Sequence, residues 1–363
     1  MMNKVLNVGI IGTGEVAQTV HLPILAAMPD KFRIAALCDI SKESLAYNGK
    51  KYEVENLYTD AKDLVKQQDL DVVFVLNSDE YHAEVAVDAA NEGKHVLVEK
   101  PMALTMADAD AVIEAKNRNN VKVMVGYMRR YAPAFEAAVK EIGGLDKVVY
   151  ARVRDIIGPN AFFVNQSGTN PQRFTDFPKA AGIDKQERAK KLVTEAIGEV
   201  DEKIAGMYRL LGGLGSHDLS VMREALGMPK GVVGASAKGL FLNTLFEYEN
   251  FNVSYETGID GQGRFDAHLE VYGETKSVRV EYDTPYIKSL PIKLIINETV
   301  GDEFRETVIR PTYKDPYTIE LETLYEALTG DGDIKTTPED YKNDLVIFKM
   351  IIDALQTSKV AVH

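Results

Sequence analysis

The stretch RLLGGLGSHDLSVMREALG, Arg209 to Gly227, places a histidine directly behind a glycine-rich run. Leu219, Met222 and Leu226 follow at helical spacing, Ser216 suits an N-cap, Gly227 closes the pattern and Pro229 comes next. The spacing predicts a helix beginning at Ser216, with His217 in its first turn. The positive end of such a helix disfavours imidazolium and leaves a ring nitrogen able to accept a proton. That is the chemistry of a general base. Ser220 shares a helix face with His217. Asp218 is rotated by about 100° and suits a favourable first-turn charge at least as well as a catalytic role.

A second constellation stands near the other end of the chain. The apolar run VLNVGIIG leads into Gly12-Thr13-Gly14-Glu15-Val16-Ala17, and a helical pattern follows. Gly12 permits a tight turn, Gly14 lets the backbone approach a pyrophosphate, and Ala17 lets the helix pack on the strand. The helix start offers unpaired N–H groups to phosphates. The next apolar run, FRIAALCD, ends in Asp39, placed to bind the ribose hydroxyls of NAD and to repel the 2′-phosphate of NADP. The expected cofactor is therefore NAD, with NADP disfavoured.

These residues need a scaffold, and the flanking pattern supplies one. DLDVVFVLN, KHVLVEK and VKVMVGYMRR read as buried strands, separated by helical segments such as EYHAEVAVDAANEG and TMADADAVIEAKNRNN. Such alternation predicts a doubly wound parallel sheet, the α/β Rossmann class, which binds ligands at the carboxyl ends of its strands. Those ends are NSDEYH, EKP and GYMRRY. From Asp146 onward the pattern changes to short alternating runs: KVVYARVRD, GVVGASAKGL, FNVSYETGI, RFDAHLEVYG, KSVRVEYD, PIKLIINETV and EFRETVIR. They predict an α+β domain on a large, mainly antiparallel open sheet. An insertion at about 158–208 opens with a loop rich in Gly, Pro, Asn and aromatics. In it Asn160, Phe162, Phe163 and Gln166 are candidates for a substrate lid or for a plain surface excursion. One helix is expected next, with Ala189, Leu192, Val193, Ala196, Ile197, Val200, Ile204 and Met207 on one face. Two helices, about 316–328 and 339–358, end the chain.

The bulk numbers exclude several classes. A net charge of -13 argues against nucleic acid as partner. The lone Cys38 permits no intrachain disulfide, no apolar run is long enough to span a membrane, and the first strand begins almost at the N-terminus. A cytoplasmic location and no membrane association are expected. No His, Cys and carboxylate spacing suggests a metal site.

In order and at the expected separations, GIIGTGEVAQ, NEGKHVLVEKPMAL, GYMRRYAPAF and GSHDLS resemble the Gfo/Idh/MocA oxidoreductase family over most of the chain, with a gap near residues 158–208. The resemblance implies a Rossmann domain at 1–127 and a substrate-binding and oligomerisation domain at 128–363, with the C-terminal helices able to pack back on the first. It implies NAD(P)-dependent hydride transfer to or from a sugar, cyclitol or related polyol, and a homodimer or homotetramer through the open sheet. The lysine of EKP, Lys100, is implied to be catalytic together with His217, and Pro101 after it is implied to be cis. Cofactor contacts are expected from Gly12, Thr13, Gly14, Glu15, Val16, Asp39, Asn77, Tyr81, His82, Glu99, Lys100 and Arg129. Substrate contacts are expected from Lys100, Tyr127, Asn160, Phe162, Gln166 and His217. A structural role suits His82 at least as well, and an ion pair suits Arg130. The chain departs from the family where carboxylates flank the histidine: Gly213 and Ser220 stand in their place. That departure keeps open a non-catalytic NAD- or sugar-binding reading.

Overall fold

A computed structural model describes residues 4–358. Its first sheet holds β1 (Leu6–Ile11), β2 (Phe32–Cys38), β3 (Asn56–Tyr58), β4 (Val72–Val75), β5 (His95–Glu99) and β6 (Val123–Gly126). They run parallel in the order β3-β2-β1-β4-β5-β6, the doubly wound topology. The connecting helices are α1 (Leu22–Ala26), α2 (Lys42–Tyr52), α3 (Ala61–Leu64), α4 (His82–Asn91) and α5 (Met106–Arg118). β4 is buried along its whole length, as a strand covered on both faces must be.

The chain continues through α6 (Pro133–Gly143), β7 (Tyr150–Ile157), α7 (Asn160–Val164), α8 (Lys179–Ile197), α9 (Glu202–Leu210) and α10 (Ser216–Leu226). Then come β8 (Gly231–Lys238), β9 (Phe241–Glu247), β10 (Asn252–Ile259), β11 (Phe265–Tyr272), β12 (Lys276–Tyr282), β13 (Lys293–Val300) and β14 (Glu303–Ile309), followed by α11 (Pro316–Thr329) and α12 (Pro338–Ser358). The second sheet has the order β14-β13-β12-β11-β7-β10-β9-β8 and is antiparallel except where β7 meets β10. The sequence reading had not resolved β9, although its burial alternates along the strand and Gly239 (φ 62°) turns the chain back from β8. The chain forms two compact units. Among the described residues, one gathers 4–126, 167–199 and 320–342, and the other gathers 127–166, 200–319 and 343–358. The units are discontinuous in sequence, where the sequence reading divides the chain once at residue 127.

Two helical expectations are corrected. The single helix expected through residues 189–207 is broken: Gly198 adopts φ 78° and ends α8, and the Asp201 carboxylate accepts from the Ile204 N–H at 2.8 Å to cap α9. α8 belongs to the first unit and α9 to the second. Nor does a helix start at Ser216. α9 runs through a π turn, Leu211–Gly215, straight into α10, and the Ser216 hydroxyl donates back to Gly212 O at 2.8 Å. His217 therefore sits inside a long helical run whose N-terminus lies at Asp201, and the helix-end argument for its protonation state fails. Within the π turn the two glycine positions differ. A Cβ on Gly213 would meet nothing within 4 Å, whereas one on Gly215 would lie 2.6 Å from the hydroxyl of buried Tyr255 on β10.

Beneath that helix the second unit buries a compact ionic cluster. Arg129 Nη1 lies 2.5 Å from Asp218 Oδ1 on α10 and 3.0 Å from Asp155 Oδ2 on β7. Its guanidinium also stacks over Tyr282 at 4.9 Å and Phe265 at 5.5 Å. Asp218 is thus no solvated first-turn charge: it is 1% exposed. Burial and the neighbouring Asp155 push its carboxyl well above the usual aspartate range, against the pull of Arg129. Alongside, the Tyr127 hydroxyl donates to Asp344 and Arg223 Nε donates to Asp344 at 2.6 Å. Arg130 pairs with Glu224.

Replacing Arg129 by Met leaves two buried carboxylates without their cation and is expected to cost about 3–5 kcal/mol in denaturant unfolding. Asp218→Asn should cost much less. Because folding raises the Asp218 pKa, its ionisation opposes folding as pH climbs above the ordinary value of 3.8. The wild type should therefore lose ground relative to Asp218→Asn as pH rises. A difference that is flat with pH would contradict this. In the π turn, Gly215→Ala should destabilise by about 1–3 kcal/mol because Tyr255 cannot retreat. Gly213→Ala should be neutral or slightly stabilising in the same thermal melts.

Candidate functional site

The first unit carries a cavity of about 850 Å³. Its wall includes the glycine turn Gly12, Thr13, Gly14 and Glu15, the end of β2 with Asp39 and Ser41, and the end of β4 with Asn77, Ser78 and Tyr81. This is the carboxyl edge of the parallel sheet, where a doubly wound fold places a ligand. Gly12 is required by geometry: φ is 94°, and a Cβ would lie 2.5 Å from the Asn77 nitrogen. Around Gly14 a Cβ would meet nothing within 4 Å, so the backbone there is open to an approaching ligand.

Asp39 organises this edge. Its Oδ2 accepts from the Thr13 N–H at 2.8 Å and from the Thr13 hydroxyl at 2.9 Å, and its Oδ1 accepts from the Ser41 N–H at 2.9 Å. A carboxylate has about four acceptor sites, so it keeps capacity for a ligand hydroxyl. Asn77 Oδ1 is buried in the same wall and has no hydrogen-bond partner among the described residues. An orphaned acceptor beside an open glycine backbone fits a ligand rich in hydroxyl and amide donors, which a dinucleotide is. Cys38, adjacent, is buried, and burial together with Asp39 pushes its thiol up to about 12. It is a structural thiol.

Other residues expected at the cofactor lie outside this wall. His82 is 2% exposed, with Nδ1 2.8 Å from Pro101 O and Nε2 2.9 Å from Asn77 O. It ties the turn after β4 to the turn after β5. The Lys100–Pro101 peptide is cis. Glu99 is 6% exposed, and its Oε1 lies 2.8 Å from Nε2 of fully buried His21. Burial alone would raise the Glu99 carboxyl, but His21 and the positive charge of Lys100 hold it below the usual range. Lys100 is half-buried at the end of β5, its N–H donating to Glu99 Oε2 at 3.2 Å. Neither Val16, His82, Glu99 nor Lys100 lines the cavity.

The far wall comes from the insertion. Gln172, Arg173, Phe174, Thr175, Phe177, Ala181, Asp184 and Lys185 all face the cavity. Gln18 and Gln172 bond reciprocally, at 3.0 Å from Gln18 Nε2 to Gln172 O and 2.8 Å from Gln172 N to Gln18 Oε1. Arg173 reaches Glu15 at 3.2 Å, Phe174 packs on Tyr47, and the Tyr81 hydroxyl donates to Asp184 at 2.5 Å. The guanidinium of Arg188 lies over the Tyr81 ring, and its Nε donates to Glu80 O at 2.8 Å. Thus the insertion holds a strap across the cleft, and the expected lid residues are not in it. Asn160, Phe162 and Gln166 lie in the second unit, where Asn160 Nδ2 donates to the Tyr286 hydroxyl at 3.2 Å and Gln166 Nε2 donates to Phe162 O at 2.9 Å. The sequence clue to the strap was the aromatic and amide content of residues 160–177; its partner Gln18 had none.

His217, Tyr127 and Arg129 also belong to the second unit. His217 is 8% exposed. Tyr127 and Arg129, expected to face substrate and cofactor, are engaged by Asp344 and by the Asp155–Asp218 pair. The Ser220 hydroxyl donates to His217 O at 3.1 Å, not to the imidazole. Among the described residues no group of three His, Cys, Asp or Glu side chains could hold a metal ion, and no helix is long and apolar enough to cross a membrane.

Residues 6–127 match the family model described as "Oxidoreductase family, NAD-binding Rossmann fold", of the Gfo/Idh/MocA group. An inositol 2-dehydrogenase of Salmonella typhimurium is 41% identical over 128 residues, covering 35% of this chain and 38% of that enzyme. A myo-inositol 2-dehydrogenase of Thermotoga maritima is 29% identical over 249 residues, covering 64% of this chain and 74% of the relative. Along nearly the whole chain, the fold is similar to a levoglucosan dehydrogenase solved with NADH and levoglucosan, at TM-score 0.75, 18% identity and 98% coverage of both chains. The matched stretch thus spans well under half of the Salmonella relative. Residues 6–127, which include the glycine turn, Asp39 and Asn77 of the cleft, are thus similar to the NAD-binding Rossmann domain of the Gfo/Idh/MocA family.

Proposed function

We propose that the chain is an NAD-dependent oxidoreductase that interconverts a secondary alcohol and a ketone on a sugar, cyclitol or related polyol. The observation that carries the reading is the cleft itself: an open glycine turn, a carboxylate at the end of β2 and an orphaned acceptor on Asn77, all on one sheet edge. Bound NAD would supply the hydride acceptor for the carbon being oxidised. Asp39 would hold the ribose hydroxyls, and the backbone at Gly14 would receive the pyrophosphate. Lys100 is assigned to the reacting oxygen, where its ammonium favours the alkoxide. His217 is assigned to the hydroxyl proton, taking it in oxidation and returning it in reduction.

Supporting context is consistent with a homo-oligomer in the cytoplasm. β14 is exposed along its length, with Phe304 72% exposed and Val308 41%. A sheet edge of this kind favours pairing with another copy, as a homodimer or homotetramer. The one cysteine is buried and reduced-state compatible.

The second reading is a non-catalytic NAD- or sugar-binding protein. It is favoured by Gly213 and Ser220, which bring no carboxylate to His217, and by Asp218, which is held by Arg129. The two readings separate in one assay. Turnover of a polyol panel with NAD, followed at the NADH absorbance, should be measurable. Lys100→Ala and His217→Ala should each lower kcat by at least about 100-fold, with NAD binding retained. No turnover on any polyol, or full turnover in both variants, would sink the catalytic assignment.

A further inference from the structure

Beside the cleft, at Ser41 on the start of α2, stands a second carboxylate that the Rossmann pattern does not call for. Asp176 comes from the insertion, far from Asp39 in sequence, and the strap delivers it to the start of α2. There Ser41 Oγ donates to Asp176 Oδ1, and the Glu43 N–H donates to Asp176 Oδ2 at 3.1 Å. Ser41 is also the N-cap of α2, accepting from the Ser44 N–H at 2.9 Å, while its own N–H serves Asp39 at 2.9 Å. Its single hydroxyl hydrogen is therefore taken by Asp176. The arrangement is an anion seated on a helix start, and the anion is the protein's own.

Its position is fixed from both sides. Gln172 is locked to Gln18, and Asp184 accepts from the Tyr81 hydroxyl at 2.5 Å. Phe174 rests on the Tyr47 ring of α2, with centroids 5.8 Å apart. Two of the three cations that line the cleft are engaged with other carboxylates: Arg173 with Glu15 at 3.2 Å and Lys62 with Glu84 at 3.8 Å; the third is Lys185.

We propose that Asp176 is a nucleotide-specificity residue: by occupying the donors of Ser41 and α2 beside Asp39, it excludes the 2′-phosphate of NADP. A phosphate on the ribose 2′-oxygen would meet two carboxylates and would find the nearest hydroxyl and amide hydrogens already bound. Asp39 alone repels that phosphate through charge. Asp176 adds a second charge and removes the replacement donors. The hydrogen bond from Ser41 also holds the Asp176 carboxyl below its usual range, so it remains an anion. This inference rests on the cleft being a dinucleotide site.

The test is calorimetric titration of the full chain with NAD and with NADP, for wild type, Asp176→Asn and Asp176→Lys. Asp176 is exposed, so both variants should fold, and a thermal melt checks it. The NADP-to-NAD affinity ratio should rise roughly tenfold in Asp176→Asn and further in Asp176→Lys, with NAD affinity changing less than NADP affinity. An unchanged ratio in both variants, with NAD still bound, would overturn the role of Asp176 while leaving the dinucleotide cleft intact. A wild type that binds neither dinucleotide would overturn both.

Discussion

The first unit depends on one carboxylate. Asp39 receives the N–H and hydroxyl of Thr13 and the N–H of Ser41. That joins the glycine turn after β1 to the turn after β2, and so sets the width of the opening between them. The same contact presents Ser41 to the strap and leaves Gly14 open. Without it, the strand ends would still be adjacent, since β1 and β2 pair in the sheet. The loops above them would lose their common anchor.

A parallel arrangement holds in the second unit, with Arg129 as the anchor. One guanidinium serves Asp155 on the sheet and Asp218 on the helix that carries His217. The buried cation is what lets two neighbouring buried carboxyl groups face each other, so its loss is far costlier than the loss of one of them. It therefore sets the orientation of α10 more strictly than apolar packing alone would. Each unit also contains a π turn in a helix that bears a buried histidine. Ala17–His21 ends at His21, which reaches Glu99, and Leu211–Gly215 precedes His217. A π turn advances the helix face by one residue, which re-aims the side chains after it. His217 lies just after such a turn, whereas His21 is the last residue of its own.

The sheets were largely legible in the sequence. Continuous apolar runs identify β1, β2, β4, β5 and β6 because both faces of a parallel sheet are buried, and alternation identifies most of the second sheet. β3 escaped because three residues carry no measurable period. β9 showed alternation, but its short turn from β8 hid the boundary. The places of Gly12, Gly14 and Asp39 in the cavity wall were readable because they follow from backbone geometry and from position at a strand end. The protein partners of Arg129, Tyr127 and Glu99 were not readable for a shared reason: position in the chain brings them near strand ends, but residues distant in sequence decide where their polar atoms go. The π turn at Leu211–Gly215 was unreadable because glycines followed by serine look the same at a helix start as in a helix interior. The strap was read as an insertion but not as a wall, since its contacts with Gln18, Ser41 and Tyr81 span more than a hundred residues of sequence.

Asp39 and the open turn at Gly14 are proposed to receive a dinucleotide. A crystal structure of the chain grown with NAD tests it directly. The expected result is the adenosine ribose hydroxyls on the Asp39 carboxylate, the pyrophosphate against the Gly14 backbone, and residues 172–185 over the bound molecule. NAD bound elsewhere, or with its ribose away from Asp39, would contradict it.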